Sequence, residues 1–319
     1  MRHDIEIDQW GSVGAPAESP SMDDVIRDIL QSGDGRNYYR ERVKAYREHP
    51  KTKPAKKGSR RDALALRKLV VFRLKKYGTT PAERALLVRI RGCKKSKRCA
   101  SAACPMCNYA TQGVIAGLIR DLLDVGIGLG KCITIIPAKR ILAATDLVVA
   151  TQEGEAIVET FRGKLDQAFA SAGAEVIIGG IDFEFSEFMN GEFEDHFRPH
   201  LHALGLSTEI EASEAVLRKQ FAAKGSVFKP VEIVDYDGND RWLWYLAKIP
   251  DTRKLRQKAM GPNGTEIWAP PRYKGLRKEQ QLQQALLLDA LGWAGRFYLR
   301  GQQPRKDRHG VWRLIRSGN

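Results

Sequence analysis

The chain has 319 residues, 43% of them hydrophobic and 29% charged, enough to bury a sizeable core in one main domain with extensions. No apolar run approaches the ~20 residues of a bilayer span, and the opening "MRHDIEIDQWGSVGAPAESPSMDD" lacks the basic start and apolar centre of a signal peptide, so the expected class is a cytoplasmic, non-membrane protein. Fifty-three Lys and Arg against 38 Asp and Glu leave +15, and between Arg40 and Arg98 there are 22 basic residues against four acidic ones, which points to a polyanionic partner, nucleic acid.

In chain order, residues 1–35 read as a flexible segment with a short helix near Met22 to Gln31. Residues 36–90 read as a basic helical extension: a helix over 36–60 runs into the linker "HPKTKPAKKGSRR", then helices span Arg61 to Tyr77 and Pro81 to Arg89. The second of these has Thr80 as N-cap and Pro81 at its first position. A Cys-rich knuckle follows at 91–110. The core, 111–250, begins with helical spacing from Asn108 to Val125 and the β-rich run "KCITIIP". Thr151 to Ala172 carries Phe161, Leu165 and Phe169 as a helical stripe. "AEVIIGGIDFEFSEF" and "RPHLHALGL" read as strands joined by the polar "NGEFEDHF". A helix at Ser213 to Ala223, the strand "SVFKPVEIVDY" and the helix "DRWLWYLAKIPD" complete it, and a basic C-terminal extension runs over 251–319. The order β, α, β, β, α, β, α predicts an α+β fold, a ferredoxin-like antiparallel sheet with helices on one face.

Two clusters carry chemistry. Cys93, Cys99, Cys104 and Cys107 form a C-x5-C-x4-C-x2-C array whose thiolates suit a structural Zn²⁺, with Lys94, Lys95, Lys97 and Arg98 beside them. Cys132, alone in an apolar run, reads as a small core residue. In "RPHLHALGL" a strand turns His200 and His202 to one face and Leu201 to the other, so two imidazoles make a metal-binding edge. Asp182 and Glu184 share a parity on the preceding strand, and hairpin pairing would bring their face to the same place. A hard cation expects a carboxylate partner, with Glu184 the first choice and Asp182, Glu187 and His196 nearby.

"FRPHLHAL" resembles the histidine–hydrophobic–histidine motif of the HUH endonucleases, and the order of motifs resembles plasmid rolling-circle replication initiators, the Rep proteins. "CITIIP" stands where that family has its first short strand, "IDFEFSE" where it has a glutamate-bearing strand, and "WYLAKIP" where a helix carries the nucleophilic tyrosine; the family also commonly has a Cys-rich knuckle ahead of the nuclease core. The resemblance covers roughly residues 90–250. It implies a site-specific single-strand DNA endonuclease and strand transferase that initiates rolling-circle replication of a plasmid or related mobile element. The implied site is Mg²⁺ or Mn²⁺ on His200, His202 and Glu184, with Tyr245 as nucleophile and Lys248 as its partner, and the implied partners are origin DNA and host replication proteins. One branch of the family has a glutamate and, four residues on, a tyrosine where this chain has Tyr245 and Ile249; the YxxK register of other HUH nucleases makes Tyr245 the nucleophile. Tyr236 is a further candidate. A non-catalytic DNA-binding protein that keeps the fold, and an HUH transposase, are the alternatives. Trp268, Tyr273, Trp293 and Trp312 are candidates for base stacking or for packing.

Overall fold

Ser59 and Thr80 open two helices by the same device. Each side chain accepts from the backbone N–H three residues on, while Asp62 or Glu83 reaches back to the cap's own N–H. The resulting helices, α2 (Arg60–Tyr77) and α3 (Pro81–Gly92), follow α1 (Met22–Gln31) in this computed structural model. It describes residues 20–31, 59–124, 128–143, 146–227, 229–238, 241–246, 248, 251–260, 262–307 and 312–316. Residues 1–19, the expected basic helix up to residue 58, and Ile249 lie outside the described residues.

After α4 (Pro105–Asp124) come β1 (Leu129–Ile135), β2 (Ile141–Leu142), α5 (Leu147–Ser171), β3 (Ile177–Phe188), β4 (His196–Leu206), α6 (Ser207–Gln220), β5 (Val231–Asp235) and α7 (Arg241–Tyr245). The strands β5, β1, β4 and β3 stand side by side in that order, each antiparallel to its neighbour. Alternation then divides the residues. Ile181, Phe183, Phe185, Phe197, Leu201 and Ala203 are fully buried on one face, each contributing roughly 1–3 kcal/mol through its buried apolar surface. α6 lies on that face, where its Ile210 packs, together with Ile177, into the space a side chain on Gly205 would fill. α5 lies there too: its Phe161, Leu165 and Phe169 stripe is buried, and Asp166 accepts from Tyr298 Oη at 2.7 Å.

The mixed sheet is wider than an α+β hairpin unit alone. The chain beyond residue 251 supplies β6 (Thr252–Arg256), β7 (Lys258–Met260), β8 (Glu266–Trp268), β9 (Arg272–Gly275), α8 (Lys278–Arg296), β10 (Phe297–Arg300), β11 (Gln302–Lys306) and β12 (Trp312–Arg316). β6 runs parallel to the C-terminal half of β3, β9 continues beyond it, and β10 pairs with the N-terminal half of β3, giving eight strands. Residues 181–184 of β3 therefore have no strand on that edge among the described residues.

The expectation of helices on one face is corrected by α7. A Cβ on Gly180 would overlap the Leu246 carbonyl oxygen far inside the 3.0 Å that such contacts keep, so the end of α7 rests on the face opposite α5 and α6. Glycine permits this close approach. α4 supports α7 from behind, Gln112 Nε2 donating to the Trp244 carbonyl at 3.2 Å. No helix among the described residues is long and apolar enough to cross a membrane.

Candidate metal centres and tyrosine site

Strand register assembles the first centre. Asp182 pairs with His200, Gly180 with His202 and Glu184 with Arg198, and β1 places Thr134 beside His202 from the other side. One ligand atom from each of Asp182, His200 and His202 lies within 4.8 Å of the others, and all three residues are buried. Thr134 Oγ1 is 3.1 Å from His202 Nδ1, which leaves Nε2 as that ring's inward nitrogen. His202 Nε2 and Asp182 Oδ1, 3.6 Å apart, are both buried without a hydrogen-bond partner among the described residues. Two orphaned acceptor-type atoms facing each other fit a shared cation. Burial lowers the His200 pKa to about 4, so its ring is neutral and has a lone pair to offer near neutrality.

The carboxylate of this group is Asp182, not the expected Glu184. A step of two residues along a strand moves a side chain by roughly 6.7 Å. At that distance Glu184 is held elsewhere: Lys254 Nζ lies 2.9 Å from both its carboxylate oxygens, and Arg256 is 3.9 Å away. Parity in one strand admits either acid. Only the charge on β6 separates them. Glu187 has the opposite parity and pairs with Arg253 at 2.8 Å and Arg277 at 2.6 Å. His196 lies four residues from His200, roughly 13 Å, with Nδ1 against the Glu194 carbonyl at 2.7 Å and its ring stacked on Phe188.

The structure brings Tyr245 and Lys248 to this group. The Tyr245 and His202 rings are 4.5 Å apart between centroids, edge to face, and Tyr245 remains 40% exposed. Lys248 Nζ sits 3.1 Å from Asp182 Oδ2 and 3.5 Å from the centre of the tyrosine ring. The two carboxylate oxygens of Asp182 are thus divided, Oδ2 to lysine and Oδ1 toward His202. Burial opposes the Lys248 charge, but Asp182 and Tyr245 outweigh it and raise the lysine's pKa. Burial also raises the Tyr245 phenol, with Lys248 offsetting part of the effect. Tyr236 is not brought in. Its N–H bonds the Gly130 carbonyl, four residues from Thr134 along β1.

Three partners escaped the sequence reading. Gly180 clears the landing for α7, Thr134 orients His202, and the fully buried Arg296 donates from Nη2 to the Lys248 carbonyl at 2.8 Å. The "GG" in "VIIGGIDFEF" was a readable hint, since glycine inside an apolar strand marks close approach of another backbone. Nothing local marks Arg296.

The second group is the four-cysteine cluster, which the structure brings together. One Sγ atom from each of Cys93, Cys99, Cys104 and Cys107 lies within 4.8 Å of the others, with Cys107 3.6 Å from both Cys93 and Cys99. Tetrahedral thiolates at about 2.3 Å from one ion stand about 3.8 Å apart, and the four cysteines are free rather than disulfide-bonded. Hydrogen bonds led by Cys104 hold the Cys93 thiol well below the usual range, while Cys107, hydrogen-bonded first to Cys104, is driven well above it. The loop between these cysteines takes a positive φ of 55° at Ala100, whose carbonyl accepts from Trp293 Nε1 at 2.7 Å, and Ser101 Oγ donates to Asp289 at 2.7 Å. The knuckle is thereby docked on α8. Cys132 is a fully buried core residue.

Of the four stacking candidates, Trp293 is fully buried and Trp312 donates to Asp28 at 2.8 Å. Trp268 packs against Phe188 and Phe193, while Tyr273 is 58% exposed. Comparison with protein families, curated proteins and solved structures returns no match.

Proposed function

We propose that this protein is a metal-dependent single-strand DNA endonuclease and strand transferase of the HUH type that initiates rolling-circle replication, with Tyr245 as nucleophile. The observation that carries the reading is the placement of Tyr245 against His202, with Lys248 bridging to Asp182. A partly exposed phenol beside two buried imidazoles and a carboxylate is costly to assemble for packing alone, and it is what phosphodiester transesterification needs. The antiparallel order β5–β1–β4–β3, with its two α crossovers, supports a ferredoxin-like core of the HUH kind.

In this reading Asp182, His200 and His202 hold Mg²⁺ or Mn²⁺, and Cys93, Cys99, Cys104 and Cys107 hold Zn²⁺. The divalent ion, when bound, supplies positive charge opposite the scissile phosphate. Tyr245 Oη attacks phosphorus, the P–O3′ bond breaks, the phenolic proton leaves and one proton ends on the 3′ oxygen. A 5′-phosphotyrosyl enzyme and a free 3′ hydroxyl result, with the bond energy kept for rejoining. Lys248 brings its ammonium to the phenol and to the phosphate that approaches it. The raised phenol pKa means that the tyrosine enters protonated, so its proton must leave during attack.

The test incubates the protein with Mn²⁺ and labelled single-stranded origin DNA and looks for a denaturation-resistant adduct, mapped by peptide mass spectrometry. The expected adduct is on Tyr245, and Tyr245→Phe removes it while DNA binding persists. An adduct on another residue moves the nucleophile. Tight binding by a metal-loaded protein with no adduct favours a DNA-binding protein without nicking.

A further inference from the structure

The face that carries the metal group does not end there. Continuing along β4 from His202 and His200, the next side chain of the same parity is Arg198, and β6 adds Lys254 and Arg256 beside it. Arg198 is only 6% exposed, yet among the described residues its side chain donates to the neutral Ser226 Oγ, at 2.9 Å, and its Nε is buried with no partner there. Its register partner Glu184 does not satisfy it, because Lys254 takes both carboxylate oxygens at 2.9 Å. Arg140 approaches the same group from the loop before β2 and pairs with Glu194 at 3.2 Å. Four cations, Arg140, Arg198, Lys254 and Arg256, thus share two carboxylates, Glu184 and Glu194. A guanidinium buried among like charges with an unfilled N–H is expensive unless an anion completes it.

We propose that Arg198, Lys254 and Arg256 form a phosphodiester-binding subsite for single-stranded DNA, beside the Asp182–His200–His202 group and adjoining the exposed ring of Tyr273. The proposal deepens the nicking reading and rests on it for the identity of the strand. Arg198 is two residues from His200, roughly 6.7 Å along the strand, a spacing comparable with one sugar–phosphate repeat of a stretched strand. A phosphate held here sets the register of the backbone, so that a neighbouring phosphate falls at the metal group opposite Tyr245. Lys254 Nζ lies 5.8 Å from the centre of the Tyr273 ring, which puts a π-face where the next base would stack. Glu184 is then an internal substitute for the phosphate, holding Lys254 until the strand displaces it.

Fluorescence anisotropy of labelled oligothymidylate, with EDTA present so that no cleavage intervenes, tests this across a series of salt concentrations. Arg256→Gln is expected to weaken binding about tenfold and to lower the slope of log K against log salt by about 0.7, one single-strand phosphate contact. Arg198→Lys keeps the charge and loses the fork, so affinity falls with the slope unchanged. Glu184→Gln, which removes the competing carboxylate, tightens binding. Lys219→Gln, on α6 across the sheet, changes neither quantity. Arg256 is partly exposed, so its substitution leaves a folded protein to measure even where Arg198→Lys does not fold.

Wild-type affinity and slope in Arg256→Gln would overturn the subsite, and adduct formation by the same protein would then keep the nicking reading. Weaker binding on Glu184→Gln would also overturn it, since that is the result for a purely structural ion-pair network. Slopes that fall as expected in a protein that forms no adduct would keep the subsite and sink the nicking reading. A wild-type protein that does not bind the oligonucleotide overturns both.

Discussion

Gly180→Ala tests whether the packing of α7 on the sheet positions the reaction. The added methyl would overlap the Leu246 carbonyl, which must retreat by roughly 1.5–2 Å to regain ordinary van der Waals separation. Tyr245 precedes that carbonyl by one residue and Lys248 follows it by two, so both move with it. Neither Asp182 nor the histidine pair does, because β3 and β4 are held by their own ladder. A misplacement of about 1 Å in a reacting group costs on the order of 100-fold in rate, and overpacking costs about 1–3 kcal/mol in stability. The expected variant is folded, binds single-stranded DNA and zinc normally, and forms the covalent adduct at least 100-fold more slowly in a single-turnover assay. Adduct formation at the wild-type rate, with the substitution confirmed, would refute the claim that Gly180 sets the distance between nucleophile and metal group.

The other predictions concern the two centres and the core thiol. Asp182→Asn is expected to weaken Mn²⁺ binding by at least tenfold in calorimetric titration while Glu184→Gln leaves it within about twofold; the reverse order restores Glu184 as ligand. On the proposed zinc assignment, Cys104→Ser removes one of four thiolates, so elemental analysis should find about one zinc per chain in the wild type and none in the variant, and thermal unfolding should move down by several degrees. Chelated protein should then expose Cys93, Cys99, Cys104 and Cys107 to a thiol reagent while buried Cys132 stays unlabelled until denaturation. Burial pushes the Cys132 thiol up to about 12, with Asp237 and Asp235 adding to it. The folded state therefore keeps a proton that the unfolded chain loses from its ordinary thiol pKa of about 8.5 upward. The associated stability is complete below that point and declines as pH rises toward 12. Cys132→Ala should lose less melting temperature than the wild type between pH 8 and pH 10.5; an equal loss in both removes the thiol as cause.

Local order in the chain carried much of this. The parity of His200 and His202, the capping box at Thr80, the stripe of Phe161, Leu165 and Phe169, and the cluster of four cysteines are properties of residues a few positions apart, and period and spacing alone state them. The pairing of β3 with β4 likewise follows from their short connection. Three matters lay beyond that range. Asp182 and Glu184 are equivalent in parity, and the choice between them comes from Lys254, seventy residues away, neutralising one of them. Tyr245 is one aromatic among Trp242, Trp244 and its neighbours on a five-residue helix, and what selects it is a missing Cβ on another strand. The tail beyond residue 251 looked like a basic appendage, but β6, β9 and β10 complete the sheet's edge and Arg296 ends buried under Lys248. Sequence determines which residues share a face and which carry metal-binding chemistry; only the tertiary structure decides which charges meet, because pairing between distant strands leaves no periodic signature in either of them.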